Sequence, residues 1–416
     1  MIRSRGVAQL CKQRGQQVLE EKIELAAEAQ RNEQLRPARL AWLALILTPA
    51  MGTTRTWRVI ERLGRPERLF EASLTELEGL GMPAHSAQFV FEGKARTAAE
   101  DEWTRVAANG GSILTPADEL YPERLRQIYD PPAVLWIRGD LRLLSRPGIA
   151  VVGTRHPSTY GAGMAEVLSR DLAVRRLTIL SGMARGVDTA AHKGALEARG
   201  KTVAVWGTGI DVIYPKENKR LAEQIVENGG TIVSEFPLGT FPAPQNFPIR
   251  NRILSGMSIG VLVIEAGEHS GTRITARLAM EQNRDVYAVP GNVTNKNAWG
   301  PNTLIKQGAK LTATWEDVWE DLPSEIRLQL EEEMGVAGND ESNPARPASL
   351  FNETPLSEHE RMIVQRLRQD EGTQLDELIE HLEGQLGSAE IFTALFELEL
   401  AGRVRQLPGK NYILAM

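Results

Sequence analysis

The sequence predicts an α/β fold in which a mainly parallel sheet forms the core, with a helical domain before it and a small helical domain after it. Four apolar runs carry this prediction, because each ends in glycine and hydroxyl residues and is followed by a helical pattern, as in βαβ units. They lie at residues 149–152, 178–180, 202–206 and 261–264. A length of 416 residues and a hydrophobic content of 42% are enough for two or three domains with at least one full core.

Two segments precede the predicted sheet domain. Residues 1–35 are polar and charged and have little to bury, so we expect a poorly ordered extension. Residues 36–105 contain short amphipathic helical patterns separated by glycines, which predicts a compact helical domain of the sterile-alpha-motif or helix-hairpin-helix type. Residues 106–325 form the predicted central domain, in which short strands near residues 113–116 and 134–139 extend the edge of the main sheet.

A linker and a last domain follow. The linker is predicted at residues 326–354, where glycine, asparagine, serine and proline accumulate towards the end without periodicity. Residues 355–416 show three helical patterns and then a small hairpin, which predicts a winged helix. Residues 356–416 hold 6 Lys and Arg against 11 Asp and Glu, a net charge of −5.

The third helix of this winged helix is acidic. It carries Glu390, Glu397 and Glu399, whereas a helix that reads a DNA groove favours Arg, Lys or Asn. We therefore expect the domain to contact protein or to pack within the chain, with Arg405 and Lys410 of the hairpin as its remaining candidates for phosphate contact.

Residues suited to bind phosphate lie next to the predicted strands. Loop amides and helix N-termini beyond the carboxyl ends of parallel strands favour anions, so the glycine loops are expected to converge on one anion-binding edge. Arg250 and Arg252 flank Asn251 shortly before the apolar run at residues 259–264, and their planar guanidinium groups suit phosphate oxygens. An isolated Arg-x-Arg is more often solvated or paired with acidic neighbours, so this prediction depends on the glycine loops around it.

Charge is distributed unevenly along the chain. The net charge is −6 and the isoelectric point is about 5.7, which by itself argues against a nucleic-acid-binding protein. Residues 146–317, however, hold 20 Lys and Arg against 15 Asp and Glu, so this part is +5 and the remainder is −11. The single cysteine, Cys11, excludes an intrachain disulfide framework, and no apolar run reaches transmembrane length. We expect a cytoplasmic protein.

Many short motifs occur in order over the central domain, and together they resemble the DNA-processing protein A family, also called Smf. The motifs are GTR at residues 153–155, SG at 181–182, GVD at 186–188, GTGID at 207–211, YP at 214–215, FP at 247–248, RNR at 250–252, SG at 270–271, PG at 290–291 and GPNTLI at 300–305. None is diagnostic alone, so the resemblance depends on their number and order.

The resemblance implies an extended Rossmann-like domain that binds single-stranded DNA, protects it, and loads RecA recombinase onto it in natural transformation and DNA recombination. It also implies a homodimer and a helical N-terminal domain. No membrane partner is expected. The residues predicted to contact DNA are Gly153, Thr154, Arg155, Ser181, Gly182, Arg185, Lys216, Asn218, Lys219, Arg250, Asn251, Arg252, Ser270, Gly271 and Lys306.

Cofactor binding and catalysis are not expected. Val212 occupies the third glycine position of a dinucleotide-binding motif, and the sequence has no P-loop motif. The histidines lack metal-ligand spacing, so no metal site is predicted. His192, Asp188 and Glu265 resemble an acid–base set, but Asp188 is placed to cap the helix that carries His192, which favours a structural role.

The alternative function is that of a Rossmann-type nucleotide-sugar phosphoribohydrolase. Such enzymes carry a Pro-Gly-Gly-x-Gly-Thr-x-x-Glu loop, whose Glu is catalytic. The matching junction here keeps Ser270-Gly271-Thr272 at a helix start but places Thr275 where the catalytic carboxylate is required. A binding protein is therefore the preferred prediction over an enzyme.

Overall fold

The computed structural model describes residues 33–268, 270–338, 357–368, 372–382, 386–400, 403–407 and 409–414. The chain divides into two compact units. The first unit comprises the residues up to 146 together with 203–222 and 229–257, and the second comprises 147–202, 223–228 and the residues from 258 onward. The predictions made for residues 1–32 and 339–354 lie outside the described residues.

Helices and strands alternate through the central part of the chain, as the sequence predicts. The helices are α1 (residues 33–47), α2 (Thr53–Leu63), α3 (Leu74–Gly79), α4 (Ala84–Phe91), α5 (Lys94–Ala108), α6 (Glu123–Arg126), α7 (Thr159–Val174), α8 (Val187–Glu197), α9 (Lys219–Glu227), α10 (Asn246–Met257), α11 (Thr272–Glu281), α12 (Trp299–Lys306), α13 (Trp315–Trp319), α14 (Ser324–Gly338), α15 (Glu358–Val364), α16 (Leu375–Leu382) and α17 (Ser388–Leu400). The strands are β1 (Ser112–Leu114), β2 (Leu135–Gly139), β3 (Gly148–Val152), β4 (Thr178–Ser181), β5 (Thr202–Trp206), β6 (Thr231–Ser234), β7 (Gly260–Val263), β8 (Asp285–Ala288), β9 (Lys310–Leu311), β10 (Thr373–Gln374), β11 (Val404–Leu407) and β12 (Asn411–Leu414). Among the described helices, none combines the length and apolar character that crossing a bilayer requires.

The first unit joins the N-terminal helices to four strands. Helices α1 to α5 occupy most of residues 33–108, and α2 buries Thr56, Val59, Ile60 and Leu63 on one helical face. The strands lie in the order β1-β2-β6-β5. Strands β1 and β2, and β2 and β6, pair antiparallel, while β6 and β5 pair parallel, so the two strands predicted before the main sheet do extend its edge.

The second unit contains five parallel strands in the order β4-β3-β7-β8-β9. Strands β3, β4 and β7 are buried throughout, as continuous apolar runs in a parallel sheet should be. Helices α7 and α8 pack with these strands around a core that includes Ile149, Leu168 and Leu262.

Helix α14 corrects the predicted linker boundary. Residues 326–338 continue this helix instead of starting a linker. The physical reason is burial, because Leu330 is fully buried in the core of the second unit and Ile326 packs against it.

The C-terminal residues form the predicted winged helix. Helices α15, α16 and α17 surround a core of Ile363, Leu378 and Leu395, and the strands order as β10-β12-β11. A capping box begins α15, since Ser357 and Glu360 each accept a hydrogen bond from the other's backbone amide.

Candidate nucleic-acid interface

Two loops that carry exposed arginines meet in the second unit. The β3–α7 loop holds Arg155 and the β4–α8 loop holds Arg185, and both side chains are exposed. The Val187 amide donates to the Thr154 carbonyl oxygen at 3.2 Å. Gly186 has φ +78°, and a Cβ there would lie 2.5 Å from that same oxygen, so only glycine permits this approach. The loops after β3 and β4 are therefore adjacent, as predicted.

A buried carboxylate connects the loop after β3 to the loops after β7 and β8. Glu265, at the end of β7, is 2% exposed. It accepts hydrogen bonds from the Ser158 hydroxyl at 2.5 Å and the Ser158 amide at 2.8 Å. Asn295 and Asn297, from the loop after β8, donate to the same carboxylate at 3.3 and 3.4 Å. Glu265 thus ties together the loops that follow β3, β7 and β8.

The loop after β7 is ordered by its own hydroxyl groups. Ser270 lies before α11, and its hydroxyl donates to the Thr272 hydroxyl at 3.0 Å and accepts from the Thr272 amide at 3.2 Å. Gly271 is exposed, and nothing lies within 4 Å of the position that a Cβ would occupy there. This segment leaves room for a backbone to approach the start of α11.

A second set of loops converges in the first unit. The Asn246 amide group donates to the Gly207 carbonyl oxygen at 3.1 Å, and the Gly209 amide donates to the Thr240 carbonyl oxygen at 3.0 Å. The Asp211 carboxylate accepts from the Gly239 amide at 2.8 Å. The loops after β5 and β6 and the start of α10 therefore form one connected surface.

This surface carries both rings and cations. The rings of Tyr214 and Phe247 lie 5.7 Å apart between centroids at an angle of 39°, and Tyr214 is 41% exposed. Lys216 and Lys219, both exposed, come two and five residues after Tyr214 in the sequence. Aromatic faces beside lysines are suited to a single strand, whose bases stack while its phosphates are neutralised.

Arg250 and Arg252 do not take the exposed position that the sequence predicts. They lie on α10 and are 5% and 7% exposed. Arg250 donates to the carbonyl oxygen of Val205 on β5. Arg252 pairs with Asp130 at 2.8 Å and with Glu235 at 2.7 Å.

Burial of the two arginines has a physical cause. The two arginines lie on a helix, where Arg250 reaches the Val205 carbonyl oxygen and Arg252 reaches the Glu235 and Asp130 carboxylates. Burial lowers the pKa of Arg252, yet Glu235 and Asp130 outweigh burial and raise the pKa above that of an ordinary arginine. Arg252 is a charged structural residue, and Asn251 between the two is half-buried.

The other predicted contact residues differ in exposure. Gly153, Thr154 and Ser270 are partly exposed in the loops described above. Ser181, Gly182 and Asn218 are buried, and the Ser181 hydroxyl donates to the Val151 carbonyl oxygen at 2.7 Å. The contacts predicted for Ser181 and Gly182 involve their backbone amides, and they stay predictions.

Lys306 lies at the end of a helix and not in a loop. It is exposed at the last position of α12, and a helix of this length places it roughly 10 Å along the axis from the start of α12. Its contact with DNA stays a prediction.

The residues that resembled an acid–base set have structural partners. The ring of His192 is fully buried and its Nδ1 lies 2.7 Å from the Thr202 hydroxyl, which itself donates to the Ile179 carbonyl oxygen. Asp188 accepts from the Ala184 amide at 3.2 Å. Within the described residues, no group of His, Cys, Asp and Glu is arranged to hold a metal ion.

The loop after β8 was not among the predicted contacts, although it belongs to the same surface. Asn297 donates to the His156 carbonyl oxygen at 3.0 Å, which places this loop beside Arg155. The signal in the sequence was the run of asparagines at residues 292, 295 and 297, since short amides hold loops by local hydrogen bonds.

Comparison with known proteins identifies the family. The model of a family described as "DNA recombination-mediator protein A" matches residues 112–323, which is half of the chain. Protein Smf of Escherichia coli is 41% identical over 299 residues, covering 71% of this chain and 76% of the relative. The chain belongs to the DNA recombination-mediator protein A family.

Further relatives of the family agree with the fold. The DNA processing protein DprA of Bacillus subtilis is 44% identical over 215 residues, covering 51% of this chain and 72% of that protein. The crystal structure of DNA processing protein A from Streptococcus pneumoniae superposes with a TM-score of 0.60 at 35% identity, covering 66% of this chain and 95% of that chain. A model described as "DprA winged helix domain" matches residues 344–410, which agrees with the winged helix of the structure.

Proposed function

We propose that this member of the family binds and protects single-stranded DNA and loads RecA recombinase onto it during natural transformation. Membership of the DNA recombination-mediator protein A family supports this role. The observation that carries it is the exposed Tyr214 ring, which lies against the Phe247 ring in the first unit and is followed in the sequence by the exposed Lys216 and Lys219. Rings and flexible cations bind a strand without reading its sequence, so binding is sequence-tolerant.

A second contact region lies in the second unit. Arg155 and Arg185 are exposed on adjacent loops, and the Glu265 hydrogen bonds hold the loop of Arg155 in place. Because the loop backbone is already held in place, only the arginine side chain loses conformational freedom when its guanidinium group contacts phosphate oxygens. Both regions fall within the part of the chain whose net charge is +5.

The experiment is fluorescence anisotropy of labelled oligothymidylate at a series of salt concentrations. If about four phosphates are neutralised, the log–log slope is near −3, since each contact on a single strand contributes about 0.7. Arg155→Glu and Lys216→Glu should each weaken binding and flatten the slope by about 0.7. Lys201→Glu is the matched control, because Lys201 is exposed at the opposite end of β5. Unchanged affinity and slope in both variants would show that the interface is elsewhere.

Catalysis is not part of the proposal. Thr275 is 2% exposed at the position where the alternative phosphoribohydrolase requires a carboxylate, and Glu265 is engaged by Ser158 and two asparagines. Release of free base from nucleoside monophosphates should therefore stay at background. Steady turnover by the purified protein, lost in Glu265→Gln, would favour the hydrolase instead.

We also propose a cytoplasmic homodimer that contacts RecA. Both proposals follow from family resemblance, since residue chemistry alone selects no surface for either. Light scattering at tens of micromolar should give twice the mass of the chain. RecA ATPase on single strands coated with a single-strand-binding protein should rise when this protein is added, and a flat rate would count against loading.

A further inference from the structure

Trp299 is an exposed aromatic residue at the edge of the second unit. All eight tryptophans lie in the described residues, and Trp299, 38% exposed, is the most exposed of them. Trp136 and Trp206, by contrast, are fully buried core residues. Trp299 therefore leaves part of an indole ring within reach of a ligand.

A cation lies against this ring. The guanidinium carbon of Arg273 is 5.0 Å from the centroid of Trp299, within the range of a cation–π interaction. Arg273 also donates to the Glu268 carbonyl oxygen at 2.8 Å, which limits where its side chain can lie. The ring is therefore supported by Arg273 while part of its surface stays accessible.

The backbone around Trp299 is fixed to the end of β7. The Ala266 amide donates to the Asn297 carbonyl oxygen at 2.7 Å, and the Gly300 amide donates to the Ala266 carbonyl oxygen at 2.8 Å. A Cβ on Gly300 would lie 2.5 Å from that oxygen, so the residue after Trp299 must be glycine for this contact. Trp299 is consequently held on rigid structure and not on a loose loop.

The surroundings are cationic. Lys296 lies three residues before Trp299 and is exposed, and the Asn297 side chain donates to His156, the residue that follows the exposed Arg155. An exposed indole ring also suits a protein interface, but Arg273 against the ring and the exposed Lys296 three residues before it favour a nucleic acid, whose phosphates these cations neutralise.

We propose that Trp299 is a stacking platform for one unpaired nucleobase, with Lys296 and Arg155 facing the phosphates that flank it. This site rests on the proposed single-strand binding and adds to it a base contact in the second unit. The ring accepts any base, because every base has a π-face, so the site adds affinity without adding sequence preference.

The test separates base stacking from backbone contact. Affinities of the full-length wild type and Trp299→Ala are measured for oligothymidylate and for an oligomer of equal length built from abasic nucleotides. Trp299→Ala should weaken binding of oligothymidylate by about 5- to 150-fold, the range that alanine substitution of a stacking residue produces, and should leave binding of the abasic oligomer unchanged. Trp299→Phe should recover most of the loss. Phe396→Ala, which removes another exposed ring, is the control and should change neither affinity.

Two results would overturn the inference. The first rejects only the stacking site, and the second also rejects the proposed function. Suppose that the wild type binds and that Trp299→Ala weakens binding of both oligomers equally, or of neither. The ring then does not stack on a base, while single-strand binding stands. Failure of the wild type to bind oligothymidylate at all would reject the proposed function together with this site.

Discussion

Arg252 shows at the scale of single residues how burial decides the role of a charge. Its guanidinium group lies between Asp130 and Glu235, and the Thr53 hydroxyl donates to the same Glu235 carboxylate at 3.1 Å. A buried pair of this kind contributes little net stability when complete, because desolvation offsets the attraction, but it is costly to break.

Removing this arginine should therefore affect folding before it affects DNA binding. Arg252→Ala is expected to lower the free energy of unfolding by about 3–5 kcal/mol, because Glu235 is left buried without its cation. Denaturant unfolding measures the loss. Arg155→Ala, at an exposed position, should change stability by less than about 0.5 kcal/mol. An Arg252→Ala protein of normal stability that no longer binds single strands would restore the original phosphate-contact hypothesis.

At the scale of elements, α14 shows how one helix can appear to be a linker in the sequence. Its acidic residues and its glycines obscure a short buried face on which Leu330 is fully buried. Leu328, two residues earlier on the same helix, is 59% exposed and points to water. The two leucines are a matched pair, since they share residue type and helix and differ in burial.

The pair tests whether α14 is an integral part of the second unit. Leu330→Ala should lower the free energy of unfolding by about 2–5 kcal/mol, because it removes buried methyl groups and leaves a cavity. Leu328→Ala should cost less than about 0.5 kcal/mol. Thermal or denaturant unfolding of both variants measures the difference, and equal effects would mean that the helix does not depend on its packing.

At the scale of the whole molecule, charge separates the winged helix from the part that we propose binds DNA. Residues 356–416 have a net charge of −5, whereas residues 146–317 have +5. The third helix of the winged helix, α17, exposes Glu390, Glu397 and Glu399 together with Phe392 and Phe396. Phosphates are repelled by such a surface, so it is better suited to contact protein.

Truncation tests this separation of charge. A chain that ends at residue 338 retains Leu330 and α14 and should bind oligothymidylate with equal or slightly higher affinity than the full chain. The gain should be largest at low salt, where charges are least screened. Anisotropy at two salt concentrations measures it, with the circular dichroism of both proteins as the control for folding. A large loss of affinity would show that Arg403, Arg405 and Lys410 hold DNA after all.

The sequence by itself determined the alternation of strands and helices, the buried parallel strands and the winged helix. Those features depend on local periodicity, caps and glycine loops, all of which a chain displays in one dimension. The adjacency of the loops that carry Arg155 and Arg185 also followed, because parallel strands end at a common edge. Family membership followed from the order of the motifs.

Only the tertiary structure decided which charges reach water. Arg250 and Arg252 appear in the sequence as the best phosphate ligands, yet both are buried on α10, where Arg250 donates to Val205 of β5 and Arg252 pairs with Glu235. Trp299 is of a residue type that is mostly buried, but its side chain is 38% exposed and lies against Arg273. Burial depends on neighbours that are distant in sequence, and no local pattern encodes which of two faces those neighbours cover.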